Sequence, residues 1–120
     1  MRAFPAVCLM LLAAGCGKTS KDDSSVNACI QSLGDSNPEV RYTAASTLRQ
    51  YGPEAAPAVP ALTKALTDPD KNVRVGVAYA LAEIGPAART AVPGLREAAK
   101  DRDKDVRDAA NYALKRLADK

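Results

Sequence analysis

The chain has 120 residues, a formal net charge of +3, three cysteines and no histidine. That length is enough for one small domain, and so weak a positive charge does not indicate a nucleic-acid partner. Without histidine the chain lacks the usual general base at neutral pH and the commonest metal ligand, so we expect no metal site, no cofactor and no small-molecule substrate.

The first fifteen residues have the pattern of a secretory signal. A positively charged start precedes an almost wholly apolar stretch that ends at Ala14, which is too short for the ~20 residues of a membrane-spanning helix. Leu12-Ala13-Ala14-Gly15-Cys16 resembles a bacterial lipobox, although Ala13 stands where that family usually has leucine. The resemblance implies a signal peptide over 1–15, a lipid on Cys16 and anchoring in the bacterial cell envelope. The alternative is an ordinary secretory signal followed by a chance cysteine.

Residues 16–25 are expected to form the lipidated N-terminus and a flexible tether. After Cys16 this stretch has no apolar side chain larger than a methyl group, so it cannot bury enough surface to offset its ordering entropy. In lipoproteins the residue after the cysteine influences sorting, and Gly17 is not the aspartate associated with inner-membrane retention. The resemblance therefore favours the periplasmic face of the outer membrane.

A period of 33 residues governs the rest of the chain, which we interpret as one domain over 26–120. Such a period indicates one supersecondary unit stacked on copies of itself, with units at about 27–59, 60–92 and 93–120. The rows that recur at this spacing are Asp35, Asp68, Asp101; Val40, Val73, Val106; Arg41, Arg74, Arg107; and Leu48, Leu81, Leu114.

Each unit is predicted to contain two helices, because its apolar residues recur at spacings of three and four. The first helices carry Val26, Cys29, Leu33; Val59, Leu62, Leu66; and Val92, Leu95, Ala99. The second helices carry Val40, Ala44, Leu48, Tyr51; Val73, Val77, Leu81, Ile84; and Val106, Ala110, Leu114, Leu117.

Helix ends are marked by residues suited to them. Gly52 and Gly85, each followed by proline, fit the ends of second helices. Asn37 and the aspartate-rich loops 68–70 and 101–105 fit helix starts, where their side chains can accept backbone N–H groups. Cys29 takes the position of Leu62 and Leu95 in the other units, which predicts a buried apolar residue rather than a nucleophile.

Residues 68–74, Ala78, Ala80-Leu81 and Ile84-Gly85-Pro86 resemble a HEAT repeat of the short, phycobilisome-lyase-like type. The resemblance covers about 27–120 and implies an all-α superhelix, a HEAT/armadillo-like solenoid of about three helical hairpins. Ankyrin repeats share the period, but their Thr-Pro-Leu-His turn is missing here.

In the HEAT family a loop aspartate and a helix arginine form a ladder between neighbouring units. The resemblance assigns that ladder to Asp35 and Arg41, Asp68 and Arg74, and Asp101 and Arg107. An exposed pair of this kind stabilises a protein little, so we interpret its role as fixing the register between units.

The second helices also carry rows of residues away from the apolar stripe, and in HEAT solenoids these helices line the concave face. Tyrosine is frequent at binding hot spots, so we interpret these rows as a surface for a protein or peptide partner. The alternative is that the rings only lie along neighbouring helices. The candidate residues are Tyr42, Val75, Tyr79, Tyr112, Arg49 and Lys115, with Asp108 at the rim.

The third unit departs from the other two in ways that indicate the end of the array. Asn111 stands where Ala45 and Ala78 stand, and a terminal repeat needs such a polar outer face. Taken together, the signal, the repeat and the tyrosine rows favour a non-enzymatic adaptor, exported and anchored by lipid. The alternatives are an accessory subunit or lyase-like enzyme of the phycobilisome-lyase type, and a purely structural envelope protein.

Overall fold

The computed structural model describes residues 23–118. The predicted signal peptide, Cys16 and most of the predicted tether lie outside the described residues. Every regular element in the described part is helical, which confirms the all-α prediction. The α-helices are α1 (Asp23–Ser32), α2 (Pro38–Tyr51), α3 (Val59–Ala65), α4 (Lys71–Ile84), α5 (Val92–Ala98) and α6 (Lys104–Ala118).

The helices form three successive hairpins, α1–α2, α3–α4 and α5–α6. The second helices pack side by side, α2 on α4 and α4 on α6, so α4 is covered on both sides. The structure is therefore an α-solenoid of three units, as the 33-residue period predicts.

Two 3-10 segments, Gly52–Ala58 and Gly85–Ala91, connect each hairpin to the next. Each opens with a glycine at positive φ, 60° at Gly52 and 85° at Gly85, where a side chain would be strained, and proline follows. Two alanines in each segment are fully buried, Ala55 and Ala58 in the first and Ala88 and Ala91 in the second, so these turns pack against the core. The sequence does not predict these 3-10 segments, because the apolar spacing of the first helices begins only at Val59 and Val92, after the segments end.

The second helices begin as the loop composition predicts. The side chain of Asn37 accepts the N–H of Glu39 at 2.9 Å. Asp70 accepts the N–H groups of Asn72 and Val73, and Asp103 caps α6 in the same way. These caps satisfy N–H groups that have no partner inside the helix.

The core runs along the seam between first and second helices. Its largest fully buried side chains are Leu48, Leu62, Leu81, Ile84, Leu95, Val73, Val77 and Val106, all of them predicted apolar positions. Cys29 is an exception: it is half-buried rather than buried, because α1 is the first described helix and has a neighbouring unit on one side only.

Candidate functional site

The first rung of the Asp–Arg ladder joins the first two hairpins. Arg41 donates two hydrogen bonds to the carboxylate of Asp68, from Nε to Oδ2 at 2.7 Å and from Nη2 to Oδ1 at 3.0 Å. Arg41 Nη1 donates to the backbone carbonyl of Asp35, six residues earlier, at 2.8 Å. The arginine therefore holds its own loop by a carbonyl and the next unit by a carboxylate.

The second rung repeats this arrangement between the second and third hairpins. Arg74 Nη2 donates to Asp101 Oδ1 at 3.2 Å, and Nε lies 2.9 Å from Oδ2 without being aligned for a hydrogen bond. Arg74 Nη1 donates to the carbonyl of Asp68 at 2.7 Å. The carboxylates of Asp68 and Asp101 thus pair with the arginine 27 residues earlier in the chain. The arginine six residues after each aspartate donates to that aspartate's backbone carbonyl rather than to its carboxylate.

Each loop aspartate also organises its own turn. The carboxylates of Asp35, Asp68 and Asp101 accept the N–H of the residue two positions later, at 2.9, 2.9 and 2.8 Å. That later residue is the one whose side chain caps the second helix. At Asp68 and Asp101 the ladder therefore couples the starts of α4 and α6 to the preceding unit.

The electrostatics follow from these contacts. Burial alone would raise the pKa of Asp101, but the N–H of Asp103 and the guanidinium of Arg74 outweigh it, so the pKa lies below its ordinary value. The hydrogen bond to Asp68 is the largest contribution that raises the pKa of Arg41. Both shifts favour the charged forms.

The predicted tyrosine surface is partly assembled on the second helices. The rings of Tyr79 on α4 and Tyr112 on α6 lie 5.4 Å apart at an interplanar angle of 55°. The guanidinium of Arg49 on α2 lies 4.8 Å from the centre of the Tyr79 ring. Arg49, Tyr79 and Tyr112 thus form a continuous contact across three helices.

Two residues that the sequence analysis did not single out complete this cluster. Glu83 accepts the hydroxyl of Tyr112 at 3.3 Å and lies 3.8 Å from Arg116, whose guanidinium is 5.6 Å from the centre of the Tyr112 ring. Gln50, Glu83 and Arg116 recur at the same 33-residue spacing, so the repeat itself could have revealed this row. We call Arg49, Tyr79, Glu83, Tyr112 and Arg116 the aromatic cluster.

The other candidate residues lie away from the cluster's centre. Tyr42 is 45% exposed, and a β-carbon added to Gly76 would lie 3.3 Å from its ring. Val75 is half-buried, and Lys115 is exposed on α6. Ala82, which lies 33 residues from both Arg49 and Lys115, is fully buried.

An open groove of about 430 Å³ borders the aromatic cluster and is lined by Ser46, Arg49, Gln50 and Glu83. Within residues 23–118, no group of three or more cysteine, aspartate or glutamate side chains is placed to hold a metal ion. No helix in this part of the chain combines the length and the apolar character needed to cross a bilayer.

Comparison with known proteins agrees with this geometry. The family model described as HEAT repeats matches residues 30–115. A crystal structure described as an engineered protein, a structural genomics target, superposes with a TM-score of 0.69 and 27% sequence identity over 80% of this chain. This chain spans 46% of that protein's length. No curated protein matches the sequence.

Proposed function

The chain belongs to the HEAT repeat family, and on that premise we propose that it is a non-enzymatic adaptor of the bacterial cell envelope. It is exported, anchored by a lipid on Cys16, and binds a protein or peptide partner. HEAT repeats are commonly scaffolds for protein–protein interaction, which supports the general class. The observation that carries the specific proposal is the aromatic cluster on the second helices.

The aromatic cluster has the chemistry of a contact surface. Tyr112 is 38% exposed, and its ring and that of Tyr79 offer rigid apolar area with few rotamers to freeze. Arg49 and Arg116 flank the rings, and Lys115 is exposed on the same helix as Tyr112, whereas Glu83 is the one acidic member of the cluster. This balance favours a partner segment that carries acidic as well as apolar side chains.

An adaptor needs no catalytic group, and the chain offers little for one. The sequence has no histidine, and the groove beside the cluster is open rather than enclosed. We therefore propose no cofactor and no small-molecule substrate. Pigment or cofactor bound to the purified protein would instead favour the lyase-like alternative.

The anchoring proposal rests on the sequence around Cys16. Asp23, the first described residue of α1, lies seven positions after Cys16, and seven residues of chain span at most about 25 Å. A lipid at Cys16 would therefore hold the solenoid close to the membrane surface.

The binding proposal predicts a loss of partner capture from two substitutions on the surface. Tyr79→Ala together with Tyr112→Ala should reduce capture of envelope proteins by tagged protein at least about tenfold, since aromatic anchors carry a large share of binding energy. The measurement is quantitative mass spectrometry of cross-linked, co-purified proteins. Arg89→Ala, which removes an exposed guanidinium from a 3-10 segment, is the matched control. Equal capture by the tyrosine variant and the wild type would contradict the proposal.

The anchoring proposal predicts a modified N-terminus. Intact-mass analysis of membrane-extracted protein should show cleavage before Cys16 and the added mass of acyl groups. Cys16→Ser should remove that mass and release the protein from the membrane fraction, whereas Cys29→Ser should do neither. An unmodified Cys16 at the mature N-terminus would exclude the lipid and leave the binding surface to be judged separately.

A further inference from the structure

The last arginine of the ladder has no carboxylate partner among the described residues. Arg107 Nη1 donates to the carbonyls of Asp101 at 2.9 Å and Arg102 at 3.0 Å. Arg74 Nη1 makes the same two contacts one unit earlier, with the carbonyls of Asp68 and Pro69. The guanidinium of Arg107 is therefore held in the orientation that, in the earlier units, directs its remaining edge at an aspartate.

That remaining edge is a preformed carboxylate site. In Arg41 it consists of Nε and Nη2, which bind both oxygens of Asp68. Two nearly parallel N–H donors on a fixed guanidinium match a carboxylate in geometry as well as in charge. The internal repeat shows what such an edge binds: an aspartate whose carboxylate also accepts the N–H two residues later.

The other end of the array presents the matching half. The Asp35 carboxylate accepts the N–H of Asn37 at 2.9 Å, the same turn that Asp68 and Asp101 make. Asp35 is exposed, and no arginine or lysine of residues 23–118 pairs with its side chain in the structure. Within residues 23–118, Asp35 is thus a carboxylate without a cationic partner in the first hairpin. Arg107 is a guanidinium without a carboxylate partner in the last hairpin.

We propose that Arg107 binds the carboxylate of Asp35 in a second copy of this chain, so that copies associate head to tail. The contact reproduces, between molecules, the rung that joins neighbouring units within one molecule. It is heterologous, so every linear assembly keeps one unused Arg107 and one unused Asp35 at its ends, and short chains of copies form rather than closed dimers.

The end surfaces around the two residues are compatible with a weak contact. Asp108, Asn111 and Lys115 are exposed on α6, where the preceding unit has the half-buried or buried Val75, Ala78 and Ala82. Thr43 on α2 occupies the repeat position of Gly76. Gly76 packs close to the ring of Tyr42 in the preceding unit, whereas Thr43 is exposed. Because both surfaces are polar, association depends mainly on the ion pair and weakens as salt increases.

Sedimentation velocity of the full chain over a concentration series, at low and high ionic strength, tests the proposal. At low salt the average mass should increase with protein concentration. Arg107→Glu alone, or Asp35→Arg alone, should weaken association by about tenfold or more, because each places like charges opposite each other. An equimolar mixture of the two variants should associate again, since every junction then pairs opposite charges.

Arg96→Glu, on the exposed side of α5, changes the net charge as much as Arg107→Glu and should leave association unchanged. Circular dichroism of each variant verifies that it folds. A monomer at every concentration and salt condition overturns the proposal. The proposal is also overturned if both single variants associate as strongly as the wild type. It is equally overturned if the equimolar mixture of the two variants does not associate again. None of these readouts involves the aromatic cluster or Cys16, so this proposal and the adaptor function can fail independently.

Discussion

At the scale of single residues, the half-buried loop aspartates each join two parts of the fold. The Asp101 carboxylate accepts the N–H of Asp103 at 2.8 Å and a guanidinium N–H of Arg74 at 3.2 Å, and its side chain is 15% exposed. One carboxylate thereby shapes its own loop and attaches it to the preceding unit. Its charge is stabilised in the folded chain, and that makes stability depend on pH.

The direction of that dependence follows from the lowered pKa of Asp101, whose ordinary value is 3.8. A depressed pKa gives stability that is complete above the unfolded value and is lost as the pH falls through the folded value. Asp101→Asn should therefore lower the free energy of unfolding by about 1 kcal/mol at neutral pH, because it leaves Arg74 without its charge partner. Below pH 3.8 the variant should lose stability less steeply than the wild type.

Urea unfolding at a series of pH values measures this difference. Glu97→Gln, which removes a carboxylate that is 77% exposed, is the control and should change stability much less at every pH. Parallel curves for Asp101→Asn and the wild type below pH 3.8 would show that the charge of Asp101 does not stabilise the fold.

At the scale of elements, the connections between hairpins depend on two glycines. Gly52 and Gly85 end α2 and α4 with φ of 60° and 85°, and their N–H groups donate to the carbonyls of Arg49 and Leu81. The chain then turns into a 3-10 segment in which two alanines, Ala55 and Ala58 or Ala88 and Ala91, pack against the core. A residue with a β-carbon is strained at positive φ, so these two positions set the angle at which one hairpin leads into the next.

Gly85→Ala should destabilise the protein by about 1–2 kcal/mol through backbone strain alone, since nothing lies within 4 Å of the added β-carbon. Gly34→Ala is the matched control. Its φ is not positive, and its added β-carbon would make an ordinary contact of 3.6 Å with the carbonyl of Gln31. Thermal unfolding should show a lower midpoint for Gly85→Ala and an equal or slightly higher one for Gly34→Ala. Equal midpoints for the two variants would rule out strain as the reason for glycine at 85.

At the scale of the whole molecule, the position of a unit in the array decides how much each side chain is buried. Leu48, Leu81 and Leu114 share one position in the repeat. Leu48 and Leu81 are fully buried, whereas Leu114 is half-buried because no described unit stacks on α6. Stability in such an array comes from contacts between neighbouring units, so the middle unit contributes to two interfaces.

Leu81→Ala should therefore cost about 2–5 kcal/mol, the range for deleting a buried leucine side chain, while Leu114→Ala should cost clearly less. Since a small domain has only about 5–15 kcal/mol in total, Leu81→Ala should remove a large fraction of the stability. Chemical denaturation of both variants measures the difference. A loss at Leu114 as large as that at Leu81 would mean that another surface covers α6 in solution.

The sequence by itself determined the features that depend on neighbours in the chain. The 33-residue period predicts three units, and the apolar spacing of three and four predicts two helices in each. Asn37 and the aspartate loops predict the helix starts, and Gly52 and Gly85 predict the helix ends. These follow from local backbone chemistry, which a few adjacent residues decide.

Only the tertiary structure decided the contacts that depend on the offset between stacked helices. It pairs Arg41 with the carboxylate of Asp68 but with the carbonyl of Asp35, and it brings Glu83 and Arg116 to Tyr112. It also separates Leu81 from Leu114 in burial, although the repeat makes them equivalent. The physical reason is that reach and burial between units depend on distances in space, which spacing along the chain does not specify.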